Sequence, residues 1–187
     1  MSSDTALSTQ DLTGEYTLDA AHTRIGFVAR HAMVTKVRGS FQEFVGTANL
    51  DFTDPTKSTA QLTVQVASIN TGQEQRDDHL RTNDFFDAPA FPEITFASTG
   101  VEALGKDEFR LNGDLTIKGI TKPVSVDFEY TGAAKDPFGN VRAGFEGKTV
   151  INRTDWGVNF NAALETGGLL VSEKITLEFD VSAIKNA

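Results

Sequence analysis

Three side chains able to do acid–base chemistry stand close together in the run RDDHLRTNDFFDAPAFPEITF, residues 76–96: Arg76, Asp77 and His79. A carboxylate can orient an imidazole that acts as a general base. On a helix, however, Asp77 and His79 are two positions apart and do not face each other, whereas Arg76 and His79, three apart, do. The run also leads straight into Phe85, Phe86, Phe91 and Phe96. It therefore reads equally as a charged helix that ties a loop to the rim of an apolar interior, or as a contact for a ligand's head group.

A second cluster is electrostatic. Between Ala20 and Gln42 the chain carries Arg24, Arg30, Lys36 and Arg38 with His22 and His31, and no Asp or Glu, in a protein of net charge −9. Guanidinium groups grip phosphate oxygens two at a time, so this stretch could receive a phosphate or pyrophosphate. Alternatively Arg24 and Arg30, opposite in parity to Ile25 and Phe27, simply face water.

Other chemistries are excluded. The GxSxG, Walker A, HExxH, EF-hand and GxGxxG patterns are absent, and without cysteine there is no thiolate nucleophile, disulfide or thiolate metal site. The three histidines, at 22, 31 and 79, lack ligand spacing, so no metal is expected. The acidic balance repels phosphate backbones and argues against nucleic acid as a partner. No apolar run approaches the roughly 18 residues of a spanning helix, and the polar start MSSDTALSTQDLTGE lacks the pattern of a secretory signal, so a cytoplasmic location is expected. The chain's 187 residues suit one domain, expected over 15–185 behind a flexible polar tail at 1–14.

The elements that must position these residues are strands. From about residue 22 onward apolar and polar residues alternate, as in Phe44, Gly46, Ala48, Leu50 and Phe52 against Val45, Thr47, Asn49 and Asp51. The same period recurs at 62–66, 109–117, 124–130 and 175–181, and weakly near Ile25, Ile94 and Phe145 to Ile151, giving about eight strands. Thr99-Gly100, Asn112-Gly113, Lys118-Gly119, Asp136 to Asn140 and Gly167-Gly168 read as turns, and Gly72 to Leu80 as the single short helix. Asp155-Trp156-Gly157 reads as a strand-end turn with Trp156 covering an edge; stacking on a ligand is its alternative. Asn152-Arg153-Thr154 matches a glycosylation acceptor, which carries no meaning without a secretory signal.

Strands with one apolar face close as an antiparallel barrel or pair as a sandwich. Inward parity includes Gly46, Ala48, Gly113, Ala143 and Gly147, small residues expected to leave room. A void of about 500 Å³ would cost on the order of 12 kcal/mol, so either phenylalanines fill it or a hydrophobic guest does. With 14 Phe against 2 Tyr and 1 Trp, whatever the aromatics line is apolar, but pattern alone leaves a filled core and a lined cavity equally open.

The stretches YTLDAAHTRIGFVARHAMVTKVRGSFQEFVG, INTGQEQRDDHLRTNDFFDAPAFPEITFAS, LNGDLTIKGITKPV and INRTDWGV, in that order over about 16–182, resemble the YceI-like polyisoprenoid-binding family. The resemblance implies an all-β fold, a lipocalin-like extended eight-stranded antiparallel β-barrel with one short helix in a loop. It implies no required cofactor, a bound isoprenoid lipid such as a polyprenyl pyrophosphate or isoprenoid quinone, and a homodimer. The family carries Trp where this chain has Tyr16, a rim position on that reading. Phe27, Phe41, Phe44, Phe85, Phe86 and Phe96 are then expected as wall residues. Leu115, Ile117, Phe128, Phe145 and Phe179 complete that wall, with Arg24, His31, Arg76 and His79 as head-group contacts. No catalytic residue follows from the resemblance. The rivals are an enzyme acting on an apolar substrate through Arg76, Asp77 and His79, and a filled barrel serving protein partners.

Overall fold

A computed structural model describes residues 7–162, 164 and 170–186. Its strands are β1 (Gly14–Leu18), β2 (Arg24–His31), β3 (Thr35–Phe41), β4 (Phe44–Leu50), β5 (Thr59–Gln65), β6 (Ile69–Asn70), β7 (Glu93–Ala103), β8 (Glu108–Ile117), β9 (Ile120–Lys135), β10 (Val141–Asn152) and β11 (Lys174–Lys185). Every pairing among them is antiparallel, and three pairs of segments are single strands with a break. Thus β1 and β2 lie end to end along β11, β4 and β3 lie along β1 and β2, and β5 and β6 lie along β4 and β3. Eight strands result, and β11 pairing back onto β1 and β2 closes them into a barrel.

Two of the breaks have a visible cause. Between β1 and β2 the Thr23 hydroxyl replaces a backbone group in the ladder, accepting from Ser182 N at 3.0 Å and donating to Ser182 O at 3.1 Å. Between β5 and β6 the chain makes a 3-10 turn, Val66–Ser68. Lys118 and Gly119, both with positive φ, form the two-residue turn between β8 and β9 that strand twist favours. Two expected turns are not turns: Asn112-Gly113 lies inside β8, and Thr99-Gly100 lies inside β7 at a register shift. Gly167-Gly168 lies outside the described residues.

Both ends are covered. At one end sit helix α2 (Glu74–Leu80), the following loop, and the 3-10 turn Arg153–Trp156. Glu74 and Asp77 lie in the first turn of α2, as its dipole prefers. At the other end helix α1 (Thr9–Leu12) is closed by a capping box between Ser8 and Asp11. Its Leu12 carbonyl accepts the Tyr16 hydroxyl at 2.6 Å. Tyr16 is wholly buried with Ala143 and Ala183, which corrects its placement at a rim; burial pushes its phenol up to about 12. Trp156 likewise covers no edge, being buried in the core with its indole N–H donating to Leu115 O at 2.8 Å.

Candidate functional site

The barrel interior holds a cavity of about 260 Å³. Phe27 from β2 and Phe41 from β3 form one side, 5.8 Å apart. The loop after α2 turns Phe85 and Phe86 inward from above, and Phe96, Leu115 and Ile117 face them from β7 and β8. Phe128 of β9 and Phe179 of β11, 5.9 Å apart, form the floor. Strand alternation points seven of these side chains inward and the loop after α2 supplies Phe85 and Phe86, so that all nine line one cavity.

Two expected wall residues lie elsewhere. Phe44 is packed into the core around the cavity, since β4 at that point is backed by Val64 and Ile94 across β5 and β7. Phe145 lines a second chamber of about 150 Å³ near the α1 end, together with Phe52, Phe109 and Ala183. Ala48, Ala60, Leu111 and Phe128 line both chambers, so Phe128 stands between them.

The inward glycines do not leave the room expected of them. Each is the seat of a large side chain: Leu18 lies over Gly46, Phe96 over Gly113 and Phe128 over Gly147, and Phe27 does the same over Gly39. Glycine in a barrel strand removes the β-carbon that would displace the ring. The open volume lies between the rings.

The charged residues expected at the head group are not on the wall. Arg24 lies flat over Gly26 on the outer face and donates to Gly39 O at 3.2 Å, opposite Asp180. His31 is exposed and pairs through its backbone with Val171. Arg76 donates to the hydroxyl and carbonyl of Thr71 at 2.7 and 2.9 Å, while the buried Asp77 carboxylate accepts from Thr71 N and Oγ1 at 2.9 and 2.5 Å. Both therefore fasten β6 to α2. His79 does not meet Asp77; its Nε2 is 2.8 Å from Asp84, and its ring is 5.1 Å from Phe85 and 5.0 Å from Phe160. Its aromatic contact on the cavity wall is Phe85.

The one charged side chain on the wall of the larger chamber, among the described residues, is Arg153. It is 6% exposed and donates to three backbone carbonyls, Val158 at 2.6 Å, Ser172 at 2.9 Å and Val171 at 3.3 Å. Burial pulls its guanidinium below the ordinary value, countered in part by Glu173. These bonds engage three of the five N–H donors of the guanidinium. A sequence signal existed: Arg153 follows the inward Ile151 by two positions and shares its parity, although it stands in the 3-10 turn just past β10.

A YceI-like domain matches residues 16–183. The chain belongs to the YceI-like family. UPF0312 protein SAS2572 of Staphylococcus aureus strain MSSA476 is 40% identical over 164 residues, 87% of this chain and 93% of that one. Burkholderia cenocepacia BcnA superposes with a TM-score of 0.78 at 25% identity, covering 88% of this chain and 98% of that one. A domain of Saccharophagus degradans, described as polyisoprenoid binding and implicated in plant cell wall breakdown, superposes with a TM-score of 0.70 at 17% identity over 91% of this chain and 98% of that one. In this YceI-like chain the run INRTDWGV builds the covered end. Asn152 caps the turn by accepting from Thr154 N at 3.0 Å, Gly157 takes the left-handed conformation at φ 74°, and Arg153 and Trp156 turn inward.

Proposed function

We propose that the protein binds one isoprenoid lipid in the larger chamber, with its polar end toward Arg153 and its chain running toward Phe128. The observation that carries this reading is the chamber itself: about 260 Å³ walled by apolar side chains, with Thr47, Gln61 and Arg153 the polar exceptions among the described residues. Left empty, a closed void of that size costs about 6 kcal/mol, a large share of a domain's net stability. Water is a poor filler, because each molecule needs roughly two to four polar partners. A hydrocarbon chain contributes about 0.8 kcal/mol per buried methylene before association costs. The isoprenoid class draws support from the family and from the description of the Saccharophagus domain. Carriage, storage and sequestration are the roles this binding serves, and no catalytic group is needed for any of them.

The head group is either a quinone or a phosphate, and Arg153 serves both, donating to a carbonyl or pairing with an anion. The test is uptake of a prenyl quinone and of a polyprenyl phosphate by delipidated protein, compared with Arg153→Met. The expected result is saturable uptake of one lipid per chain, weakened by the substitution. No uptake of either lipid by the wild-type protein overturns the reading.

A further inference from the structure

The basic stretch noted in the sequence is not used by the cavity, and its placement is specific. β2 and β3 form a hairpin whose tip meets residues 170–172. Three residues, Ala32 to Val34, connect its strands; Ala32 and Met33 have φ of 53° and 62° at the centre of a turn in which Val34 N donates to His31 O at 3.1 Å. Such a turn ordinarily takes Asn-Gly, because left-handed backbone costs residues with a β-carbon on the order of 1–2 kcal/mol each. The tip nonetheless presents Met33 and Val34 to solvent, 58% and 75% exposed. On the outer face just behind them, Arg30 stands directly opposite Lys36, with Arg38 two positions further along β3. Like charges facing across a ladder destabilise it unless something anionic lies between or above them.

The tip also adjoins the chamber wall. Ala29 and Val171 line the cavity, His31 pairs with Val171, and Ala32 N donates to Leu170 O at 2.7 Å. Apolar residues at an exposed tip, cations behind them, and contact with the wall of an apolar chamber form one surface.

We infer that the β2–β3 hairpin docks the protein on an anionic lipid bilayer, with Met33 and Val34 entering the interface and Arg30, Lys36 and Arg38 meeting lipid phosphates. Charge selects this occupant. A net charge of −9 repels an anionic bilayer over the rest of the surface, so the local reversal of sign also fixes orientation, hairpin tip first. A basic cluster combined with inserted apolar side chains supplies the two signals that reversible membrane binding needs. Phe138, 89% exposed at the tip of the β9–β10 hairpin, is the internal contrast. Residues 127–146 around it carry Asp127, Glu129, Asp136 and Glu146 against only Lys135 and Arg142, so that tip lacks the charge to approach the same surface.

The inference goes beyond lipid binding in the chamber, and its test is independent of it. The full-length protein is co-sedimented with vesicles of phosphatidylcholine alone and of phosphatidylcholine with phosphatidylglycerol, at low and high salt. The expected result is binding to the anionic vesicles only, falling as salt rises. K36E/R38E should weaken it by more than about tenfold, and M33D/V34D should abolish it, with far-UV spectra unchanged and F138D binding as wild type. Wild-type protein that ignores anionic vesicles, or an M33D/V34D variant that still binds them, overturns the inference. So does a concentration-dependent dimer that M33D/V34D dissociates while vesicles are ignored, which would assign the tip to a second copy. Vesicle binding without isoprenoid uptake would leave the docking surface standing and overturn the chamber's proposed role.

Discussion

Phe128 on β9 lies directly opposite Gly147 on β10, and its ring occupies the space a β-carbon at Gly147 would fill. Packed there and 5.9 Å from Phe179, it separates a chamber of about 260 Å³ from one of about 150 Å³. A void close to the smaller volume, lined by aliphatic and aromatic side chains, is enough to take up a benzene-sized guest. On the proposed function, Phe128 limits how far a bound chain extends.

Phe128→Ala should join the chambers and shift the accepted isoprenoid to a longer chain. It should also lower stability by about 3–5 kcal/mol in the empty protein, because a buried aromatic is removed. Binding longer prenyl quinones more tightly, measured as affinity against chain length, is the expected outcome; an unchanged optimum would show that Phe128 is no partition. Phe128→Asp should abolish uptake.

Replacing Gly113 tests the seating of the rings. A β-carbon there meets the Phe96 ring and, at 2.7 Å, the Ala97 carbonyl, which cannot move aside. Gly113→Val should be destabilising by overpacking, by about 1–3 kcal/mol or more in denaturant unfolding. A variant as stable as the wild type would mean that the interior at this point is loose.

How much of this was legible beforehand follows from what alternation encodes. Parity tells which face of a strand a residue occupies, and that placed Phe27, Phe41, Phe96, Phe128 and Phe179 inside a barrel of eight strands. Parity does not tell what stands across the ladder, so Gly113 and Gly147 read as empty space when each is a ring's seat. The charged candidates failed for a related reason. Arg24, Arg76 and His79 looked like ligand contacts by type, but each is satisfied locally, by Gly39, Thr71 and Asp84. Asn152, Arg153 and Thr154 read as a surface motif, whereas the turn that Asn152 caps directs Arg153 inward.

At the far end, Arg142 ties two carboxylates, Asp19 at 2.5 Å and Asp136 at 2.8 Å. Arg142, with His22 adding to it, holds the Asp19 carboxyl down at about 2 from an ordinary 3.8. Arg142 also lowers Asp136. A carboxyl with a depressed value stabilises the fold above its unfolded value, and that contribution is lost as pH falls through the folded one. Thermal melts should therefore show Arg142→Met less stable than wild type at pH 7, with the gap closing between about pH 4 and 2. A gap independent of pH would assign Arg142's contribution to packing.

His79 is the remaining candidate for catalysis. Its partner is Asp84, both half-exposed, and such a pair contributes about 0–1 kcal/mol. His79→Ala should lower stability slightly through the lost contacts with Phe85 and Phe160 and leave isoprenoid uptake unchanged. Conversion of a bound lipid by the wild type that disappears in this variant would establish an enzyme in place of a carrier.

The most direct measurement is native mass spectrometry of the purified protein, followed by organic extraction and identification of what is released. The account predicts a stoichiometric adduct of one lipid per chain that extracts as a prenyl quinone or a polyprenyl phosphate. A bare mass that persists after incubation with both lipids would contradict it and leave a chamber with no isoprenoid guest.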